Sequence, residues 1–200
     1  MTWIRTIPYE QAEGRLKKIY DRVKGPENNV DNVLLIHSLR PHTLQGHMTL
    51  YKAVVHHSGN TLPKWYLELL GVYVSHLNKC EYCSRHHLAG LARLIDSEKV
   101  ELLADAIRAD KLDELLDPKE LAGCSYARRL TVENHNMKHD DLKLLRQYDF
   151  SDGQILEINQ VVSYFNYVNR TVNGLGVNTE GDILGLSPSD GEGNESWKHG

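Results

Sequence analysis

Two cysteines three apart and a histidine four beyond the second stand in one run, Asn78-Lys79-Cys80-Glu81-Tyr82-Cys83-Ser84-Arg85-His86-His87, with Glu68 twelve residues before the first cysteine. Asn78 with Glu81 three positions on matches a capping box, so the run is expected to open a helix with Asn78 as its N-cap. At about 100° per residue, Cys80, Cys83 and His87 then share one face within an arc of about 60°, while His86 points elsewhere. A thiol near a helix N-terminus meets free N–H groups and the positive end of the macrodipole, which favour its thiolate. An imidazole one turn on can take the proton. The chemistry this layout supports is that of a redox-active thiol.

The same side chains could instead hold zinc, with Cys80, Cys83 and His87 as three ligands and Glu68 or a partner residue as the fourth. A structural zinc usually takes its remaining ligands from a second Cys/His cluster. The nearest candidates here, His135 and His139, read as part of a solvated polar segment. Glu68 lies in an apolar stretch where an unpartnered charge is costly, which favours a catalytic role over an ion pair with an arginine. His56 and His57 read as helix-end residues that complement the last carbonyls. His76 reads as a satisfied core histidine and Cys124 as a small buried hydrophobe.

The elements that must position these residues carry helix punctuation, with no strand alternation. Pro8 opens an apolar-periodic stretch (Leu16, Ile19, Tyr20, Val23) that ends at Gly25-Pro26, and Pro41 opens a second run to about His57. Pro63 opens a third, apolar all round and therefore buried. The Cys80 helix is expected to run to Leu94, with a further helix after Asp96-Ser97. Asp117-Pro118-Lys119-Glu120 supplies an N-cap, a proline at N1 and a glutamate at N3. Ser151-Asp152-Gly153-Gln154 is another capping box, opening a helix to Gly174. The pattern predicts an all-α chain of about eight to ten helices. Val74-Ser75-His76-Leu77-Asn78 echoes Val162-Ser163-Tyr164-Phe165-Asn166 at an offset of 88, as two duplicated helical units would; Val168 and Thr171 stand in the second copy where the first has its cysteines.

Residues 1–185 suit a single helical domain, and 186–200, rich in Gly, Ser, Asp and Glu, read as a flexible polar tail. With 23 Lys+Arg against 27 Asp+Glu and no basic run, the chain is not expected to bind nucleic acid. No apolar run approaches the roughly 18 residues of a membrane span, and the start lacks a signal-peptide core. Three cysteines, two of them in one CxxC, do not make a secreted disulfide framework. A cytoplasmic protein with no membrane partner is expected.

Glu68 followed by Asn78-x-Cys80-x-Tyr82-Cys83-x-x-x-His87 resembles the signature of the carboxymuconolactone decarboxylase and alkylhydroperoxidase D superfamily, and most of all its uncharacterised peroxidase-related branch. Leu50-Tyr51-Lys52-Ala53-Val54 before His57, and Tyr164-Phe165-Asn166-Tyr167-Val168-Asn169-Arg170 before Leu175-Gly176, extend the resemblance over about residues 10 to 178. It implies the alkylhydroperoxidase D-like helical fold, homo-oligomers, and a peroxidase that needs no bound cofactor. Its substrate would be a peroxide and its reductant an external dithiol or thiol-carrying partner. By resemblance Cys83 is the peroxidatic cysteine and Cys80 the resolving one, with His87 and Glu68 in the proton relay. Tyr82 stands where alkylhydroperoxidase D has a further relay histidine. By residue chemistry alone the first cysteine of a CxxC is the more acidic, whereas Cys83 has the histidine at i+4; the resemblance decides for Cys83. Two alternatives are a decarboxylase-like enzyme using His87 or Glu68 as base, although that branch lacks the cysteine pair, and a non-catalytic metal-binding or interaction module.

Overall fold

The computed structural model describes residues 2–25 and 27–186, and among them the chain forms nine α-helices and no strand. They are α1 (Gly14–Val23), α2 (Asn32–Leu35), α3 (Pro41–Tyr51), α4 (Lys64–Leu77), α5 (Glu81–Leu91), α6 (Ser97–Ala109), α7 (Pro118–Val132), α8 (His139–Gln147) and α9 (Asp152–Gly174). None of them is long and apolar enough to cross a membrane. The described residues are all-α, as the sequence led us to expect.

Where punctuation is local, the helices begin where the sequence places them. Asp117 and Glu120 close a reciprocal capping box on α7, and Ser151 and Gln154 do the same on α9. Pro8, by contrast, opens only a short 3-10 turn, Tyr9–Gln11, and α1 starts beyond it. Of the two residues read as its stop, Pro26 lies outside the described residues, as do 187–200 of the tail expected from 186 onward.

The apolar helix α4 is the axis of the molecule: ten consecutive residues, Tyr66 to Ser75, are buried, and α5, α7 and α9 pack on it. The α4–α9 approach is close because position 71 is a glycine; a Cβ there would lie 2.3 Å from the Phe165 ring. A second apolar cluster joins α1, α2 and α3 through Leu16, Ile19, Tyr20, Leu34, Leu44 and Met48. Past α3 the backbone widens into a π turn, Lys52–His56, a feature found often at functional sites.

Candidate active site

The cysteine pair sits at the joint between α4 and α5, and the backbone there explains its position. Lys79 is left-handed, φ 53, and its N–H bonds to His76 O at 2.9 Å, while Cys80 N–H bonds to Ser75 O at 2.8 Å. This pair of bonds is a Schellman motif that closes α4. The next residue after the motif begins α5, so Cys80 closes one helix and is the N-cap of the other, with φ −95 and ψ 90. The expected capping box at Asn78 and Glu81 is not formed. Asn78 is the C-cap of α4, and its amide donates to Asn166 Oδ1 at 3.1 Å and Asn169 Oδ1 at 3.0 Å on α9. The helix therefore starts at Glu81, two residues later than the pattern predicts.

Both thiols are free, buried and within hydrogen-bond reach of each other. Cys80 is held below the ordinary thiol range, first by the hydrogen bond from Cys83 and then, against the upward push of burial, by the Cys83 backbone N–H and the Asn169 amide. Cys83 is raised well above that range, because its S–H is given to Cys80 and burial disfavours a second charge. The pair thus sheds its first proton as a unit, and the negative charge rests better on Cys80. Asn169 is itself fully buried and donates to Ser75 Oγ at 3.1 Å, so both neighbouring helices orient the amide that reaches the sulfurs.

One turn along α5, His87 donates from Nδ1 to Glu68 Oε2 at 2.6 Å. That bond sets the neutral tautomer and leaves Nε2 with its lone pair, the arrangement of an oriented general base. Burial pushes the Glu68 carboxyl up, but His87, and His56 at 3.8 Å on the other oxygen, outweigh it, and the group stays below the usual carboxylate range. Glu68 is therefore paired with imidazoles, as its cost of burial required. His56 is hydrogen-bonded to Tyr51 Oη at 2.6 Å and belongs to the site through the π turn, which the helix-end reading missed. His57 is exposed beside it, and its Nδ1 accepts from the Gly59 backbone N–H at 3.0 Å. His76 is exposed, not in the core; Cys124 is buried in α7, as expected.

Two cavities meet at His87. A cavity of about 60 Å³ is lined by Cys83, His47, Met48, Tyr51, Tyr164 and Leu186, among others. A wider one of about 390 Å³ opens on the other side against His56, Glu68, Lys64 and Arg93. Leu186 lines both, carried there by a segment tied down through Asp182. The Asp182 carboxylate accepts from Tyr82 Oη at 2.6 Å and from the Asn32 backbone N–H at 3.0 Å, and is 3.2 Å from His86 Nε2. Gly185, φ 73, passes so close to α5 that a Cβ would lie 2.6 Å from the Ala89 carbonyl carbon. Tyr82 thus fastens this strap where a relay histidine would have stood. Sequence reasoning also missed His47 and Asn169. Their common signal is a polar side chain inside an apolar stripe: Leu44, Met48 and Tyr51 around the first, Phe165, Val168 and Val172 around the second.

The family model described as Carboxymuconolactone decarboxylase family matches residues 41–110, which include Glu68, Cys80, Cys83 and His87. Among solved structures, the chain is similar to the alkylhydroperoxidase AhpD core of an uncharacterized peroxidase-related protein from Ralstonia eutropha JMP134. The two are 24% identical with a TM-score of 0.74 over 93% of this chain and 97% of that one. An uncharacterized peroxidase-related protein from Silicibacter sp. TM1040 gives 24% and 0.75 over 90% and 95%. A variant of the debrominase Bmp8 in complex with 2,3,4-tribromopyrrole gives 15% and 0.67 over 90% and 91%. At these identities the likeness is one of fold. A search of curated proteins returned no match. An all-helical chain with a buried CxxC at a helix joint is the class these observations define. Residues 41–110 are thus similar to the carboxymuconolactone decarboxylase family, and the described chain shares the alkylhydroperoxidase D-like helical fold of these structures.

Proposed function

We propose that the chain is a thiol-dependent hydroperoxide reductase in which Cys83 attacks and Cys80 resolves. The observation that carries this reading is that Cys83 lines a small cavity while hydrogen-bonded to an acidified Cys80, with His87 held by Glu68 one turn away. Acidity favours Cys80 and access favours Cys83. Access decides, because a thiolate that peroxide does not reach does not react, and the S–H···S bond lets the proton cross between them. In the first step the pair gives one proton to His87 Nε2. The Cys83 sulfur then attacks the terminal oxygen of ROOH, the O–O bond breaks, and the alkoxide leaves with the electron pair and takes the proton from His87. Cys83 is now a sulfenic acid, oxidised by two electrons. The Cys80 sulfur attacks it, a disulfide forms, and hydroxide leaves with the Cys80 proton as water. An external dithiol restores both thiols, and homo-oligomeric assembly is part of the proposal.

Mass spectrometry of thiol states before and after peroxide tests this. Two thiols per chain should be lost and then regained with a dithiol. Cys83→Ser should abolish turnover, and Cys80→Ser should complete one reduction and trap a sulfenic acid on Cys83. A sulfenate trapped on Cys80 in Cys83→Ser would reverse the roles, and peroxide that consumes no thiol would overturn the class.

A specific observation supports a second reading, a carbon-acid enzyme of the decarboxylase kind. The wider cavity beside His87 carries Lys64 and Arg93, cations suited to a carboxylate substrate. That activity would survive Cys83→Ser. For the metal-binding alternative, no three His, Cys, Asp or Glu side chains among the described residues are grouped to hold an ion.

A further inference from the structure

His47 has chemistry that the steps above leave unused. It lies on α3, is buried, lines the same cavity as Cys83, and its Nδ1 has no hydrogen-bond partner. His37 stacks on it at 5.1 Å between ring centroids and has its own Nε2 unpartnered, the other nitrogen being 2.9 Å from Thr43 Oγ1. Tyr164 and Tyr167 of α9 close in at 5.9 and 6.4 Å. A buried polar atom left unpaired costs about 1–3 kcal/mol, and its presence at a cavity wall calls for a ligand or a role in the reaction.

Resting on the peroxidase reading, we infer that His47 is a catalytic residue whose ring donates a hydrogen bond to the oxygen that leaves when Cys83 attacks a peroxide of a few non-hydrogen atoms. When the O–O bond breaks, the electron pair collects on that oxygen, and a fixed donor aimed at it stabilises the transition state more than the ground state. Burial, with His37 beside it, takes His47 down to about 3, so the ring is neutral at any working pH. A neutral imidazole polarises an oxygen without surrendering its proton; the proton that completes the alcohol still comes from His87. The cavity, about 60 Å³ and partly open, has room for hydrogen peroxide and short alkyl hydroperoxides.

The test compares two small oxidants with different leaving groups. Hydrogen peroxide expels hydroxide, which needs a donor, and peracetic acid expels acetate, which does not. In His47→Phe, which keeps a ring in the stack, the second-order rate with hydrogen peroxide should fall about a hundredfold, the loss typical of removing one oxyanion donor. The rate with peracetic acid should fall far less, and alkylation by iodoacetamide should stay at the wild-type value, because thiol acidity is untouched. His47→Gln, which keeps a donor, should recover part of the hydrogen peroxide rate. It also decides the matter if the phenylalanine variant does not fold, through the same unequal loss on a smaller scale. Equal losses with both oxidants in either folded variant would overturn the inference while leaving the peroxidase standing. A wild-type protein whose thiols ignore both oxidants would overturn the peroxidase reading, and this inference with it.

Discussion

Replacing Asn169 by aspartate changes one atom and should remove most of the thiol acidity. In the wild-type site Asn169 accepts from Asn78 at 3.0 Å, donates to Ser75 at 3.1 Å and reaches both sulfurs with its amide. A carboxylate of the same shape still accepts from Asn78, and from Ser75 once that hydroxyl turns round, so the network survives. What is lost is the donor to sulfur, and a hydrogen bond to a charged group contributes about 1.5–3 kcal/mol, or roughly one to two pKa units. The new negative charge adds up to about 4 kcal/mol at about 4 Å and an effective dielectric of about 20, less whatever the aspartate avoids by taking a proton. The first thiol titration in Asn169→Asp should therefore move up by at least about two units. The assay is the pH dependence of iodoacetamide alkylation, with thiolate absorbance at a second set of pH values. A profile within half a unit of wild type would refute the reasoning, because the fold is intact and only the donor is gone. Asn169→Leu is the control. It leaves Ser75 and Asn78 unsatisfied, about 2–4 kcal/mol, and should lower Tm by about 5–15 °C.

Burial is the chief cause that takes Asp31 up to about 6, with His86 opposing and Asp182 adding to the rise. The folded state then holds this proton more tightly than the unfolded one, so stability should fall as pH rises from about 4 to about 6, by up to about 3 kcal/mol. Asp31→Asn should abolish that slope and stabilise the protein at pH 7, as urea midpoints across the window will read; an unchanged slope would exclude Asp31 as its source. Asp182→Ala removes the acceptor shared by Tyr82, His86 and the Asn32 amide. The strap should loosen, and alkylation of Cys83 by a bulky maleimide should accelerate at least about tenfold, given about 1.5–3 kcal/mol per charge-assisted bond; equal rates would mean that the strap does not guard the cavity. Lys79→Gly relieves a left-handed lysine, and the roughly 1–2 kcal/mol of strain, less the entropy gained by the unfolded chain, should appear as a small stabilisation on urea unfolding. No gain would argue against strain at the joint.

What could be read from the sequence was what local chemistry decides. Asp117 with Glu120 and Ser151 with Gln154 cap their helices because no other element competes for those side chains. Asn78 with Glu81 carries the same kind of pattern and fails, since α9 claims the Asn78 amide and the end of α4 claims the backbone. Glu68 was legible through its cost of burial. Its partner His87 was legible through helical spacing, and the 2.6 Å bond joins them. His56 was not, because a regular helix would have pointed it elsewhere and the π turn re-aims it. Asn169 and Asp182 reach the site from about 90 to 100 positions downstream, and only packing brings them there. His76 failed in the other direction: an apolar helix was taken as buried on every side, and that ring faces solvent.

The division of labour proposed for the two sulfurs draws on the geometry of the joint. The Schellman bond from Cys80 N–H fixes the first cysteine where α4 ends, under the free N–H groups of α5, so its charge is stabilised. Three residues on, Cys83 faces the cavity but sits inside the first turn, where burial and the neighbouring thiolate raise its proton affinity. In the proposed reaction, a resolving cysteine that is already the better thiolate is poised to close the disulfide as soon as Cys83 is oxidised, because thiolate content sets the rate of that attack. The cost falls on the first step, which must draw on the minor state with the proton on Cys80. A donor on the far side of the peroxide and a base beside it lower that barrier, which are the places of His47 and the Glu68–His87 pair in the proposed reaction.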